Sequence, residues 1–528
     1  MRDPAAHSDC VHSGRSVGWT TPASRRGGGV DSWRAVGAWC ASTPRDFVAS
    51  VQVPSRIRAA RAPERGNAGL RWASARRLGR ARLRRAVEEH VSKRRAGVAA
   101  IAGGFALACA PSVPRTITTA EDLPALSDGA HFLALVAGGE DEHLGIAVAP
   151  IGDLDGDQRA ELVLGTLRDA RPGGDGPARV HAFSIAKKKV LWTLEGRDPI
   201  GADAFGERLA VVGDVDGDKR YDLAIGAWRA EDGRGVLDVR SGADGRVLAR
   251  VHGMPPTESA LGAAPSAVGD VDGDGSPDVA VSVNRSITKV FSAKDGRVLA
   301  EFAGTPISIT GDLDLDGKPE LLVFDGPPRD EAMLWRSDVR TARLVSTAKH
   351  TDLLRFDAGA DVACIEAHGS AGDLDRDGFL EWIVAFRPND TGEDDRVPGQ
   401  RERRVRVFSG KTGRELCGFS VALPQRGRMH LALGVGDLDG DGVGEVLVSG
   451  HVEEGVPAAF VELHAFPSGK LVHRFTSSNW SFGSAACALP DQDGDGLAEL
   501  VLGEYESAAE ARCAGRVYVV GLARKAKP

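Results

Sequence analysis

The sequence predicts an all-β fold, a seven-bladed β-propeller of four-stranded antiparallel blades. Three observations predict it. The acidic pattern D-x-D-x-D-x-x-x-[DE] recurs seven times, starting at Asp153, Asp214, Asp270, Asp312, Asp373, Asp437 and Asp491, at intervals of 42 to 64 residues. Each copy runs into a short apolar stretch rich in β-branched residues: ELVLG, DLAIG, DVAVS, ELLVF, EWIVA, EVLVS and ELVLG in turn. Downstream, segments such as VLDVRSGADGRVLARV and VRVFSGKTGRELCGF place a Gly-containing turn between two strands, as a β-hairpin does. One strand into the acidic loop, one out and a hairpin make four strands per unit.

In chain order, residues 1–91 come first, Arg-rich and without a sustained period of 3.6 or 2. They are expected to be a disordered or mis-started extension, with translation beginning near Val87 or Val91. Residues 1–97 carry 20 Lys+Arg against 7 Asp+Glu, a net of +13, which leaves −21 for the rest of a chain whose formal charge is −8. Two such parts do not read as one folded unit. Residues 92–110 have a cationic stub, an apolar stretch and small residues at Ala106, Ala108 and Ala110. That is the grammar of a signal peptide, too short to span a bilayer, and it predicts export. Cys109 within LAC leaves a lipid anchor as an alternative to free secretion.

Residues 111–130 read as a linker, and residues 131–525 as the propeller. The last unit stops after a third strand, GRVYVVGLA (Gly515–Ala523), whereas HFLALVAGG (His131–Gly139) resembles the fourth strand VLWTLEG (Val190–Gly196). The N-terminal strand is therefore expected to complete the last blade and remove an exposed edge. Cys364, Cys417, Cys487 and Cys513 are scattered without zinc spacing and read as buried thiols, with a Cys487–Cys513 pair as the alternative under export.

Carboxylates at positions 1, 3 and 5 of a tight loop converge on one point, a fourth at position 9 closes the cage, and the position-7 carbonyl adds an oxygen. The predicted ligands are Asp153, Asp155, Asp157 and Glu161; Asp214, Asp216, Asp218 and Asp222; Asp270, Asp272, Asp274 and Asp278; and Asp312, Asp314, Asp316 and Glu320. The remaining three loops add Asp373, Asp375, Asp377 and Glu381; Asp437, Asp439, Asp441 and Glu445; and Asp491, Asp493, Asp495 and Glu499. All-oxygen, multi-carboxylate coordination suits Ca²⁺ better than Mg²⁺, so up to seven mainly structural calcium ions are expected. Without a cation the clustered charges repel one another. An EF-hand needs a carboxylate at position 12, where this chain has apolar residues such as Leu164 and Val448. A solvated acidic turn without metal is the other reading. Gly at position 6 eases positive φ in five loops; Gln158 and Lys219 replace it in the first two, where weaker binding is expected. A Gly also stands eight residues before the first Asp in five units, at Gly145, Gly206, Gly262, Gly304 and Gly483.

The stretch FGERLAVVGDVDGDKRYDLAIGA (Phe205–Ala227) carries Phe-Gly, the acidic loop and Gly-Ala in that order. In this it resembles the FG-GAP repeat family, related to VCBS repeats and found in the integrin alpha-chain propeller. The resemblance covers about three quarters of the chain. It implies Ca²⁺ between the first two strands of each blade and ligands on the opposite face, and it fixes fold better than activity. LLVFDGPP (Leu321–Pro328) and VAVSVNR (Val279–Arg285) depart from the family ending.

On that opposite face, Arg168, Arg229 and Arg285 recur at matching places after the second strand, with Arg387 one position earlier in the fifth unit. Together with Trp228 they form a candidate ligand-binding set for an acidic group, and Trp480 and Tyr505 are candidates for stacking on sugars. The plainer reading pairs the arginines with Asp169, Glu231 and Asp232. SGKTG (Ser409–Gly413) is a hairpin turn rather than a phosphate loop, and HGSAG (His368–Gly372) lacks the first Gly of a nucleophile elbow. No catalytic residues are expected. The function expected is an exported, calcium-binding, non-catalytic interaction or adhesion module for a protein or polysaccharide, without a transmembrane span or nucleic-acid partner. The alternative is a polysaccharide lyase or hydrolase on the same scaffold, although the insertion Arg387–Arg404 offers it no His, Lys or Tyr. A nucleic-acid-binding scaffold would need the Arg-rich tail to be genuine.

Overall fold

A computed structural model describes residues 114–116, 123–167, 177–198, 203–254, 258–284, 286–325, 341–357, 359, 362–388, 400–424, 427–452, 459–508 and 513–524. All of them fall in one compact unit, Gly37–Pro528. The signal-peptide-like segment, Cys109 and the Arg-rich extension lie outside the described residues, as do Arg168, Arg285 and residues 389–399 of the insertion.

The described strands form seven antiparallel sheets, each built from strands consecutive in the chain except where the ring closes. Blade 1 runs Ala147–Gly152, Glu161–Gly165, Arg179–Ser184 and Lys189–Glu195. Blade 2 runs Arg208–Gly213, Asp222–Ala227, Val236–Arg240 and Val247–His252. Blades 3 to 6 repeat the order from Ser266–Gly269 through Lys470–Ser477. Blade 7 takes Phe482–Leu489, Glu499–Glu504 and Arg516–Leu522 from the C-terminal end. Its fourth strand is Ala130–Ala137, paired antiparallel to Arg516–Leu522 with Ala130 opposite Leu522. The expected closure is thus present. The first strands of successive blades touch all the way round, the seventh against the first.

Burial follows from this geometry. Second strands such as Glu161–Gly165 and Asp278–Val283 are buried at every position because both faces meet a neighbouring blade, so they read as continuous apolar runs. Fourth strands such as Val247–His252 lie at the rim and are mostly exposed or half-buried, with Ala249 the one buried residue of that strand. Apolar clusters span blade boundaries: Val148, Leu162 and Val180 of blade 1 share one with Leu209 and Ile225 of blade 2 and Val501 and Val519 of blade 7.

The Gly ahead of the acidic loop in five of the blades marks a close approach to a neighbouring strand. Gly206 has φ +76, and a Cβ there would stand 2.4 Å from Val180 Cγ2 of the preceding blade. A Cβ on Gly226 would stand 2.0 Å from the Gly262 carbonyl oxygen of the next blade. Only Gly permits these contacts.

Two features differ from the expectation. Arg115–Thr116, within the segment read as a linker, pairs with Val136 and Ala137 and gives blade 7 a fifth, outer strand. In blade 5, Arg387 belongs to the second strand, Glu381–Pro388, and the third resumes at Gln400–Phe408, so both ends of the expected insertion are strand. Among the described residues no helix is long and apolar enough to cross a membrane.

Candidate metal centres and the opposite face

Each acidic pattern forms the loop between the first and second strands of its blade, and all seven loops share one hydrogen-bond frame. The position-2 N–H donates to the position-9 carboxylate: Leu154 to Glu161 (2.6 Å), Val215 to Asp222 (2.7 Å), Val271 to Asp278 (2.8 Å) and Leu313 to Glu320 (2.6 Å). Leu374 to Glu381 (2.6 Å), Leu438 to Glu445 (2.8 Å) and Gln492 to Glu499 (2.9 Å) complete the set. The position-6 N–H donates to the first Asp, from Gln158 to Asp153 and Lys219 to Asp214 at 2.8 Å, as from Gly496 to Asp491 at 2.8 Å. The position-7 N–H caps position 5, as from Arg159 to Asp157 (3.0 Å) and from Val443 to Asp441 (2.8 Å). Position 6 is left-handed throughout, including Gln158 (φ 68) and Lys219 (φ 72). Position 4 is left-handed too, which is why Gly fills it in five loops and why Leu315 (φ 57) and Arg376 (φ 62) stand out.

This frame brings the carboxylates together. Oxygens of Asp437, Asp439, Asp441 and Glu445 lie within 4.8 Å of one another. So do those of Asp153, Asp155 and Glu161; of Asp214, Asp216 and Asp218; of Asp270, Asp272 and Asp278; and of Asp312, Asp314 and Asp316. Asp222 has each oxygen taken by a backbone N–H, from Val215 at 2.7 Å and from Gly242 at 2.9 Å, and both oxygens of Glu320 and of Glu499 likewise accept backbone N–H groups. The loops of Asp373, Asp375, Asp377 and Glu381 and of Asp491, Asp493, Asp495 and Glu499 keep the same frame. Asp274 receives the Ser276 N–H at 2.9 Å.

The donor set fits a hard divalent cation. Asp278 Oδ1, Glu381 Oε1, Asp437 Oδ1 and Glu445 Oε1 are buried and accept no hydrogen bond. A buried carboxylate oxygen without a donor is costly, and a cation in the cluster satisfies it. The electrostatics agree. Burial, with the neighbouring Asp charges adding to it, pushes Glu381 and Glu445 up to about 8 and Glu161, Glu320 and Glu499 up to about 7. Asp222 and Asp278 rise to about 6 for the same reasons. These groups are held in a place that disfavours their charge unless a counter-cation is near.

Loops are also stitched to one another. The position-7 side chain reaches the position-2 carbonyl of the preceding blade: Ser276 Oγ to Val215 (3.2 Å), Lys318 Nζ to Val271, and, across the ring closure, Arg159 to Gln492. Sequence reading assigned position 7 only a carbonyl ligand and missed this role, because the contact joins residues of different repeats.

On the opposite face, Trp228 Nε1 donates to Glu207 Oε2 (3.2 Å), and the Arg229 guanidinium lies 4.3 Å from the centroid of the Trp228 ring. Arg229 is exposed and Trp228 half-buried, so this pair remains on the surface. Tyr505 does not serve as expected: it is 4 % exposed and packs edge-on against Trp480, with ring centroids 5.7 Å apart. Its place in the core shared by blades 7 and 1 removes it as a stacking platform.

Fold and site together define a class: a seven-bladed propeller with an acidic loop between the first two strands of every blade. No protein-family model matches the chain. Among curated proteins it is similar to integrin alpha-PS2 of Drosophila melanogaster, 31% identical over 228 residues that cover 35% of this chain. The match spans only 15% of that protein's length. Weak as it is, the similarity and the seven-bladed ring fit an integrin-alpha-like propeller. Solved structures that align with it include Sqt1 of Saccharomyces cerevisiae, 11% identical with TM-score 0.43, covering 78% of this chain and 100% of that one. Rhamnogalacturonan lyase YesW aligns at 17% identity and TM-score 0.39, over 78% and 76% of the two chains. BBS1N, solved in complex with ARL6DN, aligns at 11% and 0.42, over 79% and 99%.

Proposed function

We propose that the chain is an exported, calcium-stabilised propeller that acts as a non-catalytic interaction module. The observation that carries this reading is the set of buried carboxylate oxygens without donors, Asp278 Oδ1, Glu381 Oε1, Asp437 Oδ1 and Glu445 Oε1, inside loops of one shared geometry. Ca²⁺ would supply the positive charge that these clusters otherwise lack. The carboxylates of the seven loops would hold it, and the loops in turn would fix the turn between the first two strands of each blade. Extracellular modules bind Ca²⁺ at about 10⁻⁴–10⁻³ M, a range that suits an exported protein.

The face opposite the loops is the partner surface, with Trp228 and Arg229 at its centre of interest. The similarity to an integrin alpha chain favours a protein partner, and a polysaccharide is the competing outcome. Calorimetric titration of the full-length chain with Ca²⁺, paired with unfolding in Ca²⁺ and in EDTA, tests the metal half. A stoichiometry near seven and a clear loss of thermal stability on chelation support it. Absence of binding overturns it. For the partner half, replacement of Trp228 and Arg229 by Ala should abolish capture of a bound protein or glycan, while leaving Ca²⁺ stoichiometry unchanged.

A further inference from the structure

Resting on the calcium reading above, we propose that the loops of blades 1 to 4 carry tethered competitors for their cation. Lys187, Arg246, Arg297 and Lys349 lower the Ca²⁺ affinity of those four loops relative to the loops of blades 5 and 7.

All four cations come from the same place, the hairpin between third and fourth strands, and all four reach the same carboxylate, position 3. Lys187 Nζ stands 2.6 Å from Asp155 Oδ1, and Arg246 Nη2 2.5 Å from Asp216 Oδ2. Arg297 is paired with Asp272 Oδ2, and Lys349 Nζ stands 2.9 Å from Asp314 Oδ2 and 3.7 Å from Asp316 Oδ2. Blades 5 and 7 differ. In blade 5 the hairpin Lys411 goes to position 5, 3.5 Å from Asp377, and Asp375 has no ion pair among the described residues. In blade 7 Asp493 faces His131 of the closing strand at 3.8 Å.

That these loops are built for a cation at all is supported separately on each side of the division. Asp278 Oδ1 in blade 3 and Glu381 Oε1 in blade 5 are both buried and without a donor. These residues are 0 % and 1 % exposed. Cation affinity in such loops is tuned by the net charge of the ligand set. A Lys or Arg on position 3 removes one negative charge from that set, and it has to swing away or share the carboxylate when the metal enters. The four side chains are 39% to 55% exposed, so they hold position 3 on the modest scale of surface ion pairs. The competition is therefore worth about two- to fivefold in affinity per site.

The test is Ca²⁺ titration of the full-length chain against a variant carrying Lys187→Met, Arg246→Met, Arg297→Met and Lys349→Met. The wild type should show at least two affinity classes, and the variant should tighten the weaker class about two- to fivefold without a change in total stoichiometry. Should the quadruple variant not fold, Lys187→Met and Lys349→Met singly should each tighten one site. Hydrogen exchange in EDTA gives an independent reading: the loops of blades 5 and 7, lacking a tethered substitute, should exchange faster than those of blades 1 to 4. Ca²⁺ binding to the wild type with variant isotherms unchanged overturns the competitor and leaves the calcium reading standing. No binding to either protein overturns both.

Discussion

Leu315 is 86% exposed and held at φ 57, where six of the seven loops have either Gly or, once, Arg376. A left-handed backbone costs an L-residue about 1–2 kcal/mol, and this side chain gains nothing back from burial. Leu315→Gly should therefore stabilise the protein by about 1 kcal/mol, and Gln158→Gly and Lys219→Gly by somewhat less, read as higher urea midpoints. The position-9 carboxylates make a second prediction, with an unusual sign. Glu381 and Glu445 rise from 4.5 to about 8 in the folded chain, and Glu161, Glu320 and Glu499 to about 7, chiefly through burial. An acid whose folded pKa is raised contributes stability that is full below its unfolded pKa and lost as pH rises through the folded one. In EDTA, the unfolding temperature should thus rise as pH falls from about 8.5 to 6. Saturating Ca²⁺ keeps these groups ionised and should flatten or reverse that slope. Circular dichroism melts across the series check both halves.

At the scale of elements, the blade is a repeated unit whose contacts outward matter as much as its own ladder. Gly226 closes the second strand of blade 2 against the backbone of blade 3, with no room for a methyl group before the Gly262 carbonyl. Gly226→Ala should cost about 2 kcal/mol, since neither backbone can retreat without breaking a strand pairing. Arg159→Ala should cost less, about 1 kcal/mol, because it removes only the side-chain bond from loop 1 to the Gln492 carbonyl of loop 7. Both are read from equilibrium unfolding. Repetition made these elements legible: the acidic loops, the β-branched runs and the hairpin turns announce themselves by recurring. What recurrence hid was the division of labour inside the loop. Position 9 looks like one more ligand, yet in every blade it first receives the position-2 N–H, and in Asp222 two backbone N–H groups take both oxygens.

For the whole molecule, closure is the decisive feature. Ala130–Ala137 pairs with Arg516–Leu522, so residues near opposite ends of the described chain share one blade and no first strand lacks a neighbour. Removal of residues 1–137 should leave blade 7 with an open edge and promote aggregation, whereas removal of residues 1–113 should not. Size-exclusion chromatography with thermal unfolding separates the two cases.

The sequence by itself determined the number of blades, the place of each acidic loop and the strand that closes the ring, because each rests on local spacing and period: carboxylates two residues apart, four strands per repeat, one strand missing at one end and present at the other. Tertiary structure alone decided what depends on residues far apart in the chain. It set Lys187 on Asp155 and Arg246 on Asp216, carried Arg159 across to blade 7, buried Tyr505 beneath the face it was expected to serve, and added Arg115–Thr116 to the outer edge. Those outcomes follow from how blades twist and pack against one another, and a pattern read along the chain carries no information about which residues that packing brings within a few ångströms.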